Sequence, residues 1–300
     1  MKIEGKEFEV TNKDKVYYPE GAVTKLQVME YYEKIADNML PHLQNRPLSM
    51  LRYPDGIEGK KFFQKDAPDY FPEWIKTKKI DKKEGGTTNY VICNDKATLV
   101  YLAGQASLTP HIWLSRISDL EKPDKIIFDL DPSDDDFGKV KFAAEKLYDF
   151  FAKELEVPVY AMTTGSRGIH VVVPIKPELK FDAVLKLTQG MAEHLSAKFP
   201  DKFTTETRKN KRGTKIYLDV MRNARGQTAV APYSLRAQPH APIATPITWD
   251  ELSGLKSAQK YNLSTIFNRL GQKEDPWKNI YKEAVSVKKL KETFESIKKD

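Results

Sequence analysis

Hydrophobic residues in the middle of the chain alternate between strand-like and helix-like patterns. Short apolar runs that are typical of buried strands cover residues 125–130, 157–162, 170–175 and 215–220. Between these runs, apolar residues recur at helical spacing over residues 137–155 and 181–199. Strands that alternate with helices in this way are typical of a domain built around a sheet. The pattern therefore predicts an α/β core with a central sheet.

The segment before this core has weaker patterns. Residues 24–40 have helical spacing, with Thr24 as a candidate N-cap and Pro41 as the predicted end of the helix. Residues 47–71 mix aromatic residues, glycine and charge, which predicts short strands and turns. Residues 90–102 are predicted to form a strand.

No segment has the composition of a linker, and no repeat or low-complexity tract is found in the sequence. We therefore expect a single domain over residues 1–300. Within it, an N-terminal subregion (1–120) is expected to pack on a catalytic core (121–250), followed by a helical C-terminal section (251–300).

Composition narrows the class of protein. Of the 300 residues, 40% are hydrophobic and 30% are charged, which is typical of a soluble globular protein. No apolar run approaches the roughly 18 residues that a membrane-spanning helix needs, and the polar start is not a signal peptide. A single cysteine, Cys93, excludes an internal disulfide and a zinc site made of cysteines. We expect an intracellular protein.

The net charge of +7 is unevenly distributed along the chain. Residues 202–225 contain eight basic residues and two acidic ones, and residues 76–83 contain five lysines and one aspartate. Residues 129–136, by contrast, contain five aspartates. Basic stretches together with a focused acidic one suggest a polyanionic partner near a metal-binding centre. A lysine-rich solvated surface explains the charge equally well.

Isolated carboxylates in apolar strand patterns are the candidate chemistry. Asp129 and Asp131 lie two residues apart at the end of a predicted strand, so both carboxylates face the same way. Asp219 is again a single acid within a strand pattern. Three such carboxylates suit a two-metal site for phosphoryl or nucleotidyl transfer with Mg²⁺ or a similar hard cation. The alternative is an aspartate-rich turn, in which residues 134–136 cap the next helix.

A glycine-containing loop joins two of the predicted strands. In residues 163–168 (TTGSRG), two glycines give backbone N–H groups access to an anion, and Ser166 and Arg167 add donors. An ordinary turn has the same composition. His170, at the start of the next strand, is either part of such a site or a hydrogen-bonded core histidine.

Several segments together resemble one known family. They are FDLDPSD, TTGSRGIHVVVP, LDVMRNARGQTAVAPYSLRA and IATPITWDEL, with DKVYYPEGAVTK, RYPDGIEGKKFFQKDAP and PHIWLSR upstream. In order and spacing, they resemble the polymerase domain of the LigD family, in the archaeo-eukaryotic primase superfamily, which serves prokaryotic non-homologous end joining. The resemblance implies an α/β (α+β) primase-polymerase fold with a central mixed sheet flanked by helices. It also implies template-directed nucleotidyl transfer with Mn²⁺ or Mg²⁺ at a two-metal site, and a preference for ribonucleotides.

The resemblance also implies roles for individual residues. Asp129, Asp131 and Asp219 match the catalytic, metal-binding carboxylates. The residues expected to bind the nucleotide are Arg52, His111, Thr164, Ser166, Arg167, His170 and Arg236. The residues expected to bind DNA are Lys15 and Lys25 at a 5′-phosphate, Phe62 and Phe63 at the template, and Arg212 at the primer or template.

The sequence departs from the family pattern at a few positions. Thr164 replaces a serine and Arg167 a lysine, and Arg222 stands where glutamine is usual. The chain carries no ligase or nuclease module, which fits either a stand-alone polymerase or an excised domain.

The resemblance further implies partners and a location. The implied partners are DNA with gaps, overhangs or broken ends, nucleoside triphosphates, Ku, and a separate or fused DNA ligase, with no membrane. The implied location is the nucleoid in a prokaryotic cytoplasm. Two alternatives stay open: a non-catalytic DNA end-binding module and a metal-dependent nuclease. The nuclease would not need the 163–168 loop, His170 or Arg236.

Overall fold

The computed structural model describes residues 1–82, 85–132, 134 and 136–298. Lys83 of the basic stretch 76–83, Asp135 of the acidic stretch and the last two residues of the C-terminal section lie outside the described residues. The described residues divide into two compact units. Unit 1 comprises Met1–Ser118, Thr228–Ala244 and Tyr261–Asn268, and unit 2 comprises Asp119–Gln227, Thr245–Lys260 and Arg269–Asp300. The single domain with an N-terminal subregion stays a prediction.

The strands are β1 (Lys2–Ile3), β2 (Lys6–Glu7), β3 (Val16–Tyr18), β4 (Val23–Thr24), β5 (Pro47–Arg52), β6 (Phe62–Gln64), β7 (Thr77–Asp81), β8 (Thr87–Ile92), β9 (Ser107–Trp113), β10 (Lys125–Asp131), β11 (Tyr160–Thr163), β12 (Ile169–Pro174), β13 (Phe203–Thr204), β14 (Ile216–Asp219), β15 (Thr228–Val230) and β16 (Thr245–Ile247). The α-helices are α1 (Lys25–Leu43), α2 (Lys96–Gly104), α3 (Phe137–Tyr148), α4 (Phe181–Lys198), α5 (Trp249–Ser253), α6 (Ile266–Gln272) and α7 (Val287–Ile297). A π-helical stretch (Asp149–Glu154) and two 3₁₀ turns (Lys209–Lys211 and Met221–Asn223) complete the helical elements of the described chain.

Unit 2 is built around the sheet that the sequence predicts. Its strand order is β13-β14-β10-β12-β11-β16, with a parallel β13–β14 pair and antiparallel pairs elsewhere, so the sheet is mixed. Helix α3 packs against β10, β12 and β14, and α4 packs near β13. The apolar side chains of Phe128, Leu130 and Leu218 are buried in this unit. The four central strands and both core helices are confirmed, although α3 continues as a π-helix where a single helix was predicted.

Unit 1 contains an antiparallel sheet with the strand order β15-β9-β5-β8-β7, and β6 pairs with β5. Helix α1 begins as predicted, because Thr24 and Gln27 form a capping box at its N-terminus. It does not end at Pro41 but continues to Leu43. A proline in the last turn removes a single backbone hydrogen bond, and the helix ends within three residues of it.

The strand predicted over residues 90–102 is wrong in its second half. Strand β8 ends at Ile92, and helix α2 follows. The Asp95 carboxylate accepts the Thr98 N–H at 2.7 Å and caps this helix. Residues 97–103 are buried on all sides, so they form a continuous apolar run without helical periodicity. Within the described residues, no helix has both the length and the apolar character needed to cross a membrane.

Candidate active site

Three acidic residues of unit 2 lie on one face of its sheet. Strand β10 lies between β12 and β14, and its Asp129 is directly opposite His170 on one side and Asp219 on the other. Asp131, two residues later, is opposite Tyr217. Direct cross-strand partners share a face, and so do residues two apart on one strand. The three carboxylates that the sequence singles out are therefore brought together.

Asp129 is buried and has cationic or potentially cationic partners at both carboxylate oxygens. The Nε2 atom of His170 lies 3.3 Å from Oδ1, and the Arg222 Nε–H donates to Oδ2 at 3.1 Å. Burial alone would raise the pKa of this carboxyl, but His170 and Arg222 outweigh burial and hold the pKa well below its usual range. Asp129 therefore carries its charge deep in the fold.

The pKa values of the other two carboxylates are raised. Partial desolvation and the Asp129 charge raise the pKa of Asp131, although its side chain reaches the surface. Burial also raises the pKa of Asp219; the Met221 N–H, which donates to its Oδ1 at 2.8 Å, opposes this shift, and the Asp129 charge adds to it. Burial is thus the largest cause of both shifts, and the negative charge of Asp129 adds to each.

The donor set fits a hard divalent cation. Within the described residues, no group of three or more His, Cys, Asp or Glu side chains forms a ready metal cage. Nevertheless, Asp129, Asp131 and Asp219 offer carboxylate oxygens on one face, which is the ligand chemistry of Mg²⁺ and Mn²⁺. Burial, and to a smaller extent the charge of Asp129, raises the pKa values of Asp131 and Asp219, and a bound cation would favour their charged forms. By chemistry, these three residues fit the implied metal site.

The loop between β11 and β12 lies against this carboxylate cluster. At Gly168, a Cβ atom would lie 2.2 Å from the Leu130 carbonyl oxygen and 2.6 Å from Oδ1 of Asp131. Such distances leave no room for a side chain, so only glycine allows the loop backbone to approach the strand end this closely. The loop and the acidic strand end are therefore in direct contact.

The side chains of this loop have different surroundings. The Thr164 hydroxyl donates to the Gly168 carbonyl at 3.1 Å and accepts the Gly168 N–H at 3.2 Å, so it closes the loop on itself. Ser166 is half-buried and Arg167 is exposed, and the charge of Arg167 lowers the pKa of Asp131. Arg167 is therefore the cation of this loop beside the carboxylates, while Thr164 shapes the backbone.

Arg212, in the basic stretch 202–225, is held above the same end of the sheet. Its guanidinium carbon lies 4.0 Å from the centroid of the Tyr217 ring. Its N–H groups donate to the carbonyls of Glu206 at 2.8 Å and Thr207 at 2.6 Å. Stacking on an aromatic ring and hydrogen bonding to carbonyls fix the plane of this arginine. Arg208, by contrast, is exposed.

In unit 1, the residues predicted to contact the template and the nucleotide lie side by side. Arg52, at the end of β5, donates to the Gln105 carbonyl at 2.7 Å and to the Tyr70 hydroxyl at 2.8 Å. Its guanidinium also lies 5.7 Å from the Phe62 ring. Phe62 and Phe63 are 45% and 57% exposed, which is unusual for phenylalanine. Arg52 is thus held in place beside the exposed ring of Phe62.

His111 and Arg236 also lie in unit 1. The His111 ring, on β9, makes an edge contact with Phe63 at 5.4 Å between centroids. Arg236 follows Leu235, whose carbonyl accepts the Thr109 hydroxyl at 2.7 Å and whose N–H donates to the Tyr32 hydroxyl at 3.0 Å. These buried hydrogen bonds fix the backbone at Arg236.

Lys15 and Lys25 are close to each other at the start of α1. The Lys25 N–H donates to the Lys15 carbonyl at 2.8 Å. The Lys25 ammonium donates to the Thr11 carbonyl at 2.8 Å, and the Lys15 ammonium to Asp55 at 2.7 Å. Burial and, to a smaller extent, the Lys15 charge lower the pKa of Lys25. Two cations are therefore held near each other, with one carboxylate beside them.

Comparison with known proteins identifies the family. The family model described as the LigD primase-polymerase domain matches residues 24–277. The chain belongs to this family. The polymerase domain of Mycobacterium tuberculosis Ligase D, solved in complex with DNA, has a similar structure, with a TM-score of 0.85 and 26% identity over 93% of this chain and 99% of that one. The predicted primase-polymerase fold and the nucleotidyltransferase class are confirmed.

Curated relatives of the LigD family are longer than this chain. The bifunctional non-homologous end joining protein LigD of Bacillus subtilis is 31% identical over 277 residues, which are 91% of this chain and 44% of the relative. The multifunctional LigD of Mycolicibacterium smegmatis is 35% identical over 248 residues, 81% of this chain and 32% of the relative. The chain thus spans less than half of the length of each of these curated relatives.

Sequence reasoning on this LigD family domain missed the contacts of two residues. The sequence left the role of Arg222 open, and the structure places it on Asp129. The sequence suggests that Gly168 supplies a backbone N–H group for an anion, whereas in the structure its lack of a side chain lets the loop approach Leu130 and Asp131. The signal for Arg222 is a single basic residue three positions after a strand carboxylate, and the same spacing is common on solvated surfaces.

Proposed function

We propose that this chain is a template-directed, metal-dependent polymerase or primase that fills gaps and extends DNA ends during non-homologous end joining. The supporting observation is the carboxylate cluster Asp129, Asp131 and Asp219 on one sheet face, directly beside the 163–168 loop. A pure DNA-binding module would gain nothing from crowded carboxylates near a polyanion. The nuclease alternative has no use for the loop with its exposed Arg167.

Each part of the cluster has a proposed task. Asp129, Asp131 and Asp219 would hold Mn²⁺ or Mg²⁺, which, when bound, lowers the pKa of an attacking hydroxyl and stabilises charge at the phosphorus. His170 fixes the orientation of Asp129 from the neighbouring strand. Arg167 and Ser166 would hold the triphosphate, because they present a cation and a hydroxyl beside the cluster. Arg52, His111 and Arg236 are proposed as further nucleotide contacts.

The test uses a labelled primer–template, Mn²⁺ and nucleoside triphosphates. We expect the wild type to extend the primer, and Asp131→Asn to lose extension while keeping DNA affinity, because it removes a metal ligand and no phosphate contact. The matched control is Asp134→Asn, which changes a half-buried acid of the same stretch that pairs with Lys139. Shortening of the primer would instead indicate a nuclease, and binding without any change in length an end-binding module.

Ribonucleotide preference is a finer proposal that rests on the family alone. Thr164, which replaces the usual serine, has its hydroxyl engaged within the loop and so keeps the loop closed. We therefore expect Thr164→Ser to preserve the ratio of ribonucleotide to deoxyribonucleotide incorporation. Parallel extension with each nucleotide set measures this ratio. A wild type that prefers deoxyribonucleotides contradicts the proposal.

Recognition of a 5′-phosphate is proposed for Lys15 and Lys25. Two neighbouring cations, one of them partly buried, favour a dianion over an internal phosphodiester, which carries about half to one charge less. The wild type should bind a gapped DNA more tightly when the downstream strand has a 5′-phosphate. The Lys15→Ala, Lys25→Ala variant should lose this difference.

The control for this experiment removes the same charge elsewhere. Lys78 and Lys79 are exposed on strand β7, so Lys78→Ala, Lys79→Ala should keep the 5′-phosphate preference even if overall affinity falls. Loss of the preference in the control alone would move the phosphate site to the 76–83 stretch. Phe62, Phe63 and Arg212 are proposed to contact the template and primer. Ku, a separate or fused DNA ligase and a location at the nucleoid complete the proposal.

A further inference from the structure

Arg222 lies in a turn that places it on Asp129, and the residues before and after it are hydrogen-bonded to neighbouring strands. Before it, the Asp219 carboxylate accepts the Met221 N–H at 2.8 Å. After it, the buried Asn223 donates to the Ile127 carbonyl at 2.8 Å and accepts the Ile127 N–H at 2.9 Å. Ile127 lies two residues before Asp129 on the same strand. The backbone on either side of Arg222 is thus tied to the strands that carry the carboxylates.

The anchored turn gives Arg222 a position that a surface arginine would not have. Its Nε–H donates to Oδ2 of Asp129, and this side chain is 39% exposed while the carboxylate is 8% exposed. A guanidinium stays charged at any pH at which the protein is folded, so it cannot leave the carboxylate by losing a proton. It can leave only by moving, and its exposure gives it space to do so.

We propose that Arg222 is a resident counter-ion that competes with divalent metal for Asp129. This proposal rests on the proposed function, in which Asp129 is a metal ligand. Before metal binds, Arg222 offsets the charge of the crowded carboxylates and stabilises the fold. Metal binding at Asp129 then has to displace or share this arginine, so the arginine weakens the affinity of the site for metal.

The competition has a direct consequence for metal affinity. Replacing Arg222 by a neutral side chain of similar polarity, Arg222→Gln, removes the competitor and leaves the three carboxylates in place. The change should tighten Mn²⁺ binding on the order of tenfold, given a partly screened charge pair at this distance. The metal-free variant should also melt at a lower temperature than the wild type, and added Mn²⁺ should raise its melting temperature by more.

The experiment titrates the full chain with Mn²⁺ alone and measures free Mn²⁺ by electron paramagnetic resonance, which does not depend on activity. The matched control is Arg225→Gln, three residues later, whose Nε–H donates to Glu121 at 2.7 Å. It removes the same charge from the same stretch, and its Mn²⁺ affinity should equal that of the wild type. Arg222→Lys keeps a cation and should restore weak binding.

The outcomes separate this inference from the proposed function. Unchanged or weaker Mn²⁺ binding by Arg222→Gln, or equal tightening in Arg225→Gln, overturns the competition. If Arg222→Gln does not fold, the Arg222→Lys variant still tests the proposal. Its Mn²⁺ affinity should be as weak as that of the wild type, and a much tighter affinity would exclude charge competition. If the wild type binds Mn²⁺ as expected but never extends a primer, the proposed function fails while the competition stands.

Discussion

At the scale of single residues, the geometry of the site depends on one glycine that has no side chain. Gly168 has no Cβ, so the 163–168 loop can contact the end of β10 at Leu130 and Asp131. The position of the loop relative to the carboxylates is therefore set by steric exclusion as well as by hydrogen bonds.

Gly168→Ala should consequently move the loop away from the carboxylates. A methyl group 2.2 Å from a backbone oxygen cannot be accommodated without a backbone shift, and we expect a loss of about 1–3 kcal/mol in the free energy of unfolding. Primer extension should fall more than stability does. Urea denaturation and extension assays measure the two effects.

The matched control is Gly190→Ala in helix α4. There the new methyl group would make an ordinary contact with Phe294 at 3.5 Å, and alanine favours a helix, so stability should stay equal or rise by up to about 1 kcal/mol. A Gly168→Ala protein as stable and active as the control would show that the loop adapts freely.

The sequence predicts the grouping of Asp129 and Asp131 because residues two apart on a strand share a face. It could not predict that His170 and Asp219 are direct partners of Asp129, since that depends on the pairing of β10 with β12 and β14. Nor could it predict the Arg222 contact, which needs a turn anchored by Asn223 to a strand almost a hundred residues earlier. Local periodicity carries no information on such long-range register.

At the scale of elements, the short helix α5 depends on hydrogen bonds of buried charged side chains. Helix α5 has five residues, too few to be stable on propensity alone. Glu251 accepts the Thr248 N–H at 2.9 Å as part of a capping box, and the buried Arg269 of α6 donates to the same carboxylate at 2.7 Å and to the Pro246 carbonyl at 2.9 Å. One carboxylate thus joins a helix start, a neighbouring helix and, through Arg269, strand β16.

Arg269→Met should therefore destabilise the protein strongly. The change leaves the Glu251 charge buried without its guanidinium partner, while the exposed Lys273 ammonium lies 3.6 Å away, and breaking a buried pair from one side costs about 3–5 kcal/mol. Chemical denaturation provides the measurement. Lys278→Met, which breaks the exposed pair with Glu274, should leave the unfolding midpoint unchanged. Equal midpoints for both variants would contradict the role of this pair.

Helix α2 is the element whose type could not be predicted from the hydrophobic pattern. The sequence predicts four strands of the unit 2 sheet, β10, β11, β12 and β14, because each apolar run is short and bounded by turns. Residues 97–103 are mostly apolar and form a buried helix, and burial on all sides removes the periodicity that separates helix from strand. The signal that was available is Asp95, an N-cap residue directly before the run.

At the scale of the whole molecule, the surplus of positive charge is partly neutralised by internal partners. Within the basic stretch 202–225, Arg212 stacks on Tyr217, and Arg222 and Arg225 pair with carboxylates. Exposed residues of the same stretch, Arg208 and Lys209 among them, remain at the surface. These exposed cations are the ones that an approaching polyanion meets.

DNA binding should therefore depend steeply on salt. We expect log K to fall linearly with log salt, and replacing Arg208, Lys209 and Lys211 together by alanine should reduce the slope by roughly two to three, since each phosphate contact contributes roughly 0.9. Fluorescence anisotropy at several salt concentrations gives the slope. The control replaces Lys288, Lys289 and Lys291 of helix α7 and should leave the slope unchanged. Equal slopes for both triple variants would mean that binding uses the whole charged surface.

His170, Asp129 and Asp219 form a row across three strands, and this row limits where related chains can differ in length. Each of these side chains faces the site because of the residue count along its own strand, and inserting or deleting one residue would turn it to the opposite face. The site can therefore change by substitution, but not by a change of length within β10, β12 or β14. Natural length variation should be confined to the connecting segments, such as residues 205–215 between β13 and β14.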